Sequence, residues 1–276
     1  MNATCGWDWY QGTITGLKNP DEVVARLVMD AAGLTLRASS GGYNRPESVR
    51  GDFAGGSIAI YFGNDLDVHV LGSSSAAVHV AAVLRAHWPE HTVSRVDACM
   101  DFDAPGAFER LYPELHALAR TPRRGGRGGV VATSTVGDWL DNVDGRTLYV
   151  GGPQSQYRVR CYEKGHEQRS KHPDQTFSLD WARVEAQVRP HGSGKRVAAT
   201  ATPAEVFAWT PFGSAVLQAI AGLELVPLAP ARVPSTDPEF WLARQYGPIL
   251  RDWLVLDDFA LRARLIRVLE LQPVSL

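Results

Sequence analysis

Residues 145–189 read GRTLYVGGPQSQYRVRCYEKGHEQRSKHPDQTFSLDWARVEAQVR, and two alternating segments within them decide the fold. In Tyr157–Lys164, Arg158, Arg160, Tyr162 and Lys164 share one side of an extended chain, and Tyr157, Val159 and Cys161 share the other, because successive strand side chains point to opposite faces. In Trp181–Arg189 the alternation is cleaner. Ala182, Val184, Ala186 and Val188 face one way, and Arg183, Glu185, Gln187 and Arg189 the other. Each strand therefore carries a row of functional groups above an apolar underside. One row offers a tyrosine among cations, and the other a carboxylate between arginines. A hydroxyl nucleophile, cations for phosphate and a carboxylate for a metal are what phosphodiester transfer requires. The same alternation also serves a sheet with one solvated face and surface ion pairs.

Working outward, Thr92–Asp103 is a third such strand. Arg95, Asp97, Cys99, Asp101 and Asp103 fall on one face, and Val96, Ala98, Met100 and Phe102 on the other. Aspartate is a poor strand former, so this run asks for a cation, either Arg95 or a divalent metal. At ~3.3 Å per residue Asp97 and Asp101 stand roughly 13 Å apart on a regular strand, too far to share one ion.

Towards the N-terminus, Gly6–Leu17 reads as a strand and Asn19-Pro20-Asp21 opens a helix that runs to about Ala32. Residues 34–74 read as an antiparallel meander whose last strand holds His69, more simply structural than catalytic. The turn Gly72–Ser75 leads into a helix through Trp88, and its free N–H groups suit either capping or a phosphate. Pro105–Arg120 is an amphipathic helix that Pro113 should break or kink. Thr121–Gly129 carries Arg123, Arg124 and Arg127 among glycines, as a linker or as a clamp on a DNA backbone. Val130–Thr135 is a further strand.

After Arg189 the pattern changes. Pro190–Lys195 reads as a turn, and helical segments follow over Pro203–Ala221, Pro238–Leu256 and Asp257–Leu271, with a proline-rich linker at Pro227–Pro234. The boundary is therefore drawn after residue 195: 1–195 as the chemical domain, 196–276 as a helical region that covers the sheet, mediates homodimerisation or contacts DNA. The fold class is α+β, a mixed and mostly antiparallel sheet with flanking helices.

The chain has 276 residues and a formal net charge of −2. A nucleic-acid partner must then be held by a local patch. Cys5, Cys99 and Cys161 are scattered, and form neither a disulfide framework nor a zinc site. No apolar run approaches the ~20 residues of a membrane span, and the N-terminus lacks the form of a secretory signal. A bacterial cytoplasm and no membrane partner are expected.

The ordered set Arg95-Val-Asp-Ala-Cys-Met-Asp101, Thr147-Leu-Tyr-Val-Gly-Gly-Pro-Gln-Ser155, Arg160-Cys-Tyr-Glu-Lys-Gly165 with Glu167, and Trp181-Ala-Arg-Val-Glu185 with Arg189 resembles the replication initiation factor family, the rolling-circle initiators of small plasmids and filamentous phages, and similar relaxases of conjugative elements. Trp7-Asp8-Trp9 and Val70-Leu-Gly72 resemble that family too. The resemblance covers roughly residues 6–190 and implies a nicking and joining enzyme distantly like the HUH endonucleases, with carboxylates in place of the histidine pair; this sequence contains no HxH run. It implies Tyr162 as nucleophile, with Arg160 and Lys164 beside it. Asp97 and Glu185 would hold Mg²⁺ or Mn²⁺, with Asp101 a helper, and Arg158, Arg183 and Arg189 would join the flexible arginines on DNA. It further implies a 5′-phosphotyrosyl intermediate, a single-stranded or extruded origin as substrate, and host helicase and polymerase as partners. A relaxase with the same chemistry, a metal nuclease that uses water and a non-catalytic DNA-binding regulator remain alternatives. Tyr149 and Tyr157 are spare hydroxyls; Tyr157 has the wrong parity to join Tyr162, and Tyr149 suits packing.

Overall fold

A computed structural model describes residues 4–17, 19–29, 31–64, 67–121 and 130–229, together with 253, 257, 259–261 and 263. The chain divides into two units, Met1–Pro230 and Ala231–Leu276. The basic segment with Arg123, Arg124 and Arg127 lies outside the described residues, as do most of the helices expected beyond 238.

Ten strands of the first unit form one sheet. In chain order they are β1 (Cys5–Thr15), β2 (Arg37–Gly42), β3 (Arg45–Phe53), β4 (Gly56–Phe62), β5 (Asp67–Ser73), β6 (Thr92–Asp103), β7 (Thr133–Gly137), β8 (Arg146–Val150), β9 (Tyr157–Glu163) and β10 (Trp181–Val188). Their spatial order is β2-β3-β4-β5-β1-β6-β10-β9-β8-β7. Every neighbouring pair is antiparallel. The α+β class holds, with antiparallel pairing throughout.

The alternation sorts the sheet into two faces. Val96, Ala98, Met100, Ala182, Val184, Ala186, Val188, Val159 and Cys161 are fully buried in the main core. The helices α1 (Asp21–Met29), α2 (Ser75–His87), α3 (Ala107–Arg120), α5 (Gly194–Thr200), α6 (Pro203–Phe207) and α7 (Pro211–Ala221) contribute side chains to that same core. The opposite face is left for polar chemistry. A short α4 (Lys164–Lys171) follows β9 directly.

Three local expectations change. Pro113 sits inside a single helix, because the stripe Phe108, Leu111, Leu115 and Ala119 is buried along its whole length. The expected turn at 190–195 gives way at Gly194 to α5, whose Ala198 and Ala199 are buried. The boundary at 195 is too early for a compact unit. Val206, Phe207 and Trp209 are fully buried, and α6 packs on β6, β1 and β10. In the segment after 195, α5 and α6 pack on the sheet, and α7 packs on α3 and α6. Among the described residues no helix is long and apolar enough to cross a membrane.

Candidate active site

Register sets the polar face. Arg183 on β10 pairs with Asp101 on one side and Tyr162 on the other. Glu185 stands between Cys99 and Arg160, and Gln187 between Asp97 and Arg158. The three loaded strands are therefore adjacent, and their functional rows lie side by side.

A fourth element enters through a bulge. In β1, Trp7 pairs with Ala98 and Trp9 with Asp97, leaving Asp8 as an extra residue. Trp7 and Tyr10 are buried in the core, while Asp8 forms an ion pair with Arg183. A bulge re-aims a side chain by leaving one residue unpaired and bending the strand locally. The triplet Trp7-Asp8-Trp9 lies within β1, in the stretch read as a strand. Asp8 is the site residue that sequence reasoning missed, since strict alternation puts it on the core side.

Four candidates converge. Tyr162 is 3 % exposed. The guanidinium of Arg160 lies 4.2 Å from the centre of its ring and the Lys164 ammonium 5.4 Å. Its hydroxyl points at Glu185 Oε2, 3.5 Å away, and Arg160 donates to the same oxygen at 2.7 Å. Lys164 is paired with Glu167 at 2.6 Å, and Lys171 with the other Glu167 oxygen at 2.7 Å. A cavity of about 750 Å³ opens beside this group, lined by Asp8, Arg95, Arg160, Lys164, Glu185 and the Ser73-Ser74 turn but not by the covered Tyr162. The Ser74 N–H in that turn donates to the Asp8 carbonyl at 2.6 Å, so it is not free for a phosphate.

The other candidates divide. Asp97 is buried beneath Arg95, which donates to it through Nε at 3.0 Å. Asp101 points away from that pair and accepts from Arg183 Nε and Trp181 Nε1, each at 2.7 Å. Arg158 stacks on Tyr149 at 3.8 Å and lines a small adjoining recess with Arg95, Arg160 and Glu185. Arg189 donates to the Pro153 carbonyl at 2.7 Å, at the end of β10 and away from Tyr162. Tyr157 donates to the Phe207 carbonyl at 2.7 Å, on the core side. His69 is buried and held near pKa 4, by burial first and by Arg45 second.

The electrostatics follow from burial. Burial raises Glu185 to about 7, and Asp8 and Asp97 add to it against the opposing pull of Arg160. Asp97 is also raised, by burial, against the hydrogen bonds and charge of Arg95. Tyr162 is pushed up as well, by burial and then by Glu185, more than Arg160 and Arg183 can offset. Arg160 and Arg183 favour the Tyr162 phenolate, and burial outweighs them while the ring is covered.

Among the described residues no group of three or more His, Cys, Asp and Glu side chains is arranged to hold a metal ion. A magnesium-like ion, however, commonly takes one or two carboxylates and completes its shell with water and phosphate. Asp97 and Glu185, oxygen donors whose ionised forms are disfavoured where they stand, fit such an ion in type. Asp101, turned towards Arg183 and Trp181, does not join them.

Residues 92–201 match the model of a family described as replication initiation factor. The fold is similar to the solved structure of the rolling circle replication initiator protein from Geobacillus stearothermophilus, with 17% identity over 80% of this chain and 98% of that one, at a TM-score of 0.52. At that identity the likeness is one of fold. No curated protein matches the sequence.

Proposed function

From the premise that this chain belongs to the replication initiation factor family, we propose that it initiates rolling-circle replication in a bacterial cytoplasm by nicking and rejoining one strand of origin DNA. The observation that carries the reading is the Tyr162 hydroxyl aimed at Glu185 between two cations. A single-stranded or extruded origin is the substrate. Its scissile phosphate enters the cavity and competes with Glu185 and Glu167 for Arg160 and Lys164, drawing both cations off the tyrosine ring. That uncovers Tyr162 and removes part of the burial that holds its proton. Glu185 Oε2, 3.5 Å from the hydroxyl, is placed to take that proton. The phenolate oxygen bonds to phosphorus, and the bond from phosphorus to the 3′ oxygen breaks. Once the leaving oxygen takes the tyrosine's proton from Glu185, the products are a 5′-phosphotyrosyl protein and a 3′-hydroxyl that can prime synthesis. Reversal rejoins the strand, and no nucleotide triphosphate is consumed. Mg²⁺ or Mn²⁺, held by Asp97 and Glu185, supplies Lewis-acid stabilisation of the phosphate when bound. Arg183, bridging Asp8 and Asp101, keeps β10 in position beside the tyrosine.

The test is a denaturing gel of the protein mixed with single-stranded DNA from its replicon's origin and Mn²⁺, beside Tyr162→Phe. The expected result is an adduct that survives denaturant, needs the metal and is absent from the variant. Cleavage without an adduct, retained in Tyr162→Phe, would replace this reading with a nuclease that uses water. Binding without cleavage would leave a regulator.

A further inference from the structure

A second recess, about 820 Å³ in volume, lies on the polar face over β1, β3, β4 and β5. Its floor is Ala59, Tyr61 and Leu71, a buried apolar cluster separate from the main core, with Trp9 packed against it. Register explains the composition. One continuous row of cross-strand partners runs Arg37, Arg50, Ala59, Leu71, Gln11, Arg95. Ala59, Leu71 and the buried Gln11 fill the middle, and arginines stand at both ends. Arg50 donates to the Tyr61 hydroxyl at 2.6 Å, and Arg95 lies 4.5 Å from the Trp9 ring centre. Among the described residues neither Arg37 nor Arg50 has a carboxylate in salt-bridge range.

Tyr43 stands at the rim. It is 47% exposed, and its ring meets those of Tyr61 at 4.9 Å and His69 at 4.7 Å. Its φ is 53°, and that of Asn44 is 61°, in the turn that joins β2 to β3. Such a turn is normally left to asparagine, aspartate and glycine, and a bulky residue there is strained. A half-exposed ring gains little from burial in return. Tyr43 is thus kept at a backbone cost in the one place that lifts an aromatic ring over the recess. The recess is continuous with the candidate active site, because Trp9, Asp52 and Ser57 line both cavities.

Resting on the nicking reading above, we propose that this recess binds the single strand next to the scissile phosphate, a nucleotide or two with bases stacked on Tyr43 and over the Trp9–Tyr61 floor, and phosphates on Arg37 and Arg50. Its volume is that of a ligand pocket, commonly ~300–1,000 Å³. An apolar floor under an aromatic rim suits an unstacked base, whose faces are free, and not a duplex, whose bases are covered. Among the described residues, two arginines outside any ion pair, against the single lining carboxylate of Asp52, match a phosphodiester backbone in charge.

The test measures the affinity of the full-length protein for a fluorescein-labelled oligothymidylate by anisotropy, across a salt series, for wild type, Tyr43→Asn and Arg50→Gln. Asparagine is at home in the left-handed conformation, so Tyr43→Asn keeps the hairpin; a thermal melt checks this. Tyr43→Asn is expected to weaken binding about 5- to 150-fold, the range for loss of one stacked base. Arg50→Gln is expected to lower the slope of log Kd against log salt by about 0.7, one phosphate contact on a single strand. Duplex of the same length should bind all three proteins alike. If both variants bind the single strand as wild type does, with an unchanged slope, the proposal is overturned. An equal loss of affinity for polyglutamate would also overturn it, since that marks a site for any polyanion. The adduct assay separates the two readings. Wild-type adduct with unaltered binding in the variants sinks the recess alone; weakened binding with no adduct from any protein sinks the nicking chemistry and leaves the recess standing.

Discussion

Tyr162 meets Glu185 at 3.5 Å, well beyond the ~2.5–3.0 Å of a good O–H···O bond. A contact that long contributes little to folding, and the ring keeps its packing without the hydroxyl. Tyr162→Phe is therefore expected to change stability by less than about 0.5 kcal/mol in a urea titration while the phosphotyrosyl adduct disappears. A large loss of stability would mean that the hydroxyl is structural. Glu185 makes the opposite kind of prediction. Burial, Asp8 and Asp97 lift its pKa from the ordinary 4.5 to about 7 against Arg160. The folded chain then binds this proton more tightly than the unfolded chain, so stability from Glu185 is greatest below the unfolded value and falls as pH rises through the window between the two. The ceiling on that loss is about 3 kcal/mol. Thermal melts of wild type at pH 5 and pH 8 should show a decline that is smaller in Glu185→Gln, where only the raised Asp97 contributes, and added Mn²⁺ should shrink the wild-type decline by favouring the ionised carboxylate. Parallel profiles for the two proteins would remove the raised value from the account.

At the scale of elements, the site depends on where α4 starts. Lys164 is its first residue and caps the Tyr162 ring, and Gly165 follows. A Cβ on Gly165 would fall 1.8 Å from the Ser178 carbonyl oxygen, a backbone atom that cannot step aside. Gly165→Ala should therefore separate α4 from the 178–180 segment, with a loss of roughly 2 kcal/mol or more in urea and slower adduct formation as Lys164 leaves the ring. Wild-type stability in this variant would refute the close approach. The elements that hold the site were legible because their signal is local. Parity alone put Arg160, Tyr162 and Lys164 on one row and Glu185 on another, and the pairing of Arg160 with Glu185 brought those rows together. Asp8 was not legible, because its direction depends on a bulge that exists only against β6. The choice between Asp97 and Asp101 was equally closed to the sequence. Both share a strand face, and only the neighbours Arg183 and Trp181 draw Asp101 aside. The helix α5 was hidden behind Pro190 and two glycines, and its alanines are informative only once the sheet beneath them is known.

For the molecule as a whole, 28 basic and 30 acidic residues give no global attraction to DNA. The attraction has to be local. Arg95, Arg158 and Arg160 line the recesses of the polar face, with Arg37 and Arg50 further along it, while the helices close the other. This two-sided construction also fixes how much of the chain the site needs. The boundary at 195 followed a change of sequence texture, but texture does not report which helices are folded onto the sheet. Val206, Phe207, Trp209, Phe212, Val216 and Leu217 are each 5 % exposed or less. At about 1.5–3 kcal/mol for each large buried side chain, their removal costs roughly 10 kcal/mol, which is comparable to the ~5–15 kcal/mol that stabilises a typical domain. A fragment of residues 1–195 is therefore expected to show no cooperative thermal transition. We propose that residues 1–230, the compact unit, carry the chemistry. That fragment should melt in one transition and form the Tyr162-dependent adduct on supplied single-stranded DNA. A folded and active 1–195 would show that α6 and α7 are dispensable cover. A folded but inactive 1–230 would instead place a required contact with DNA in residues 231–276.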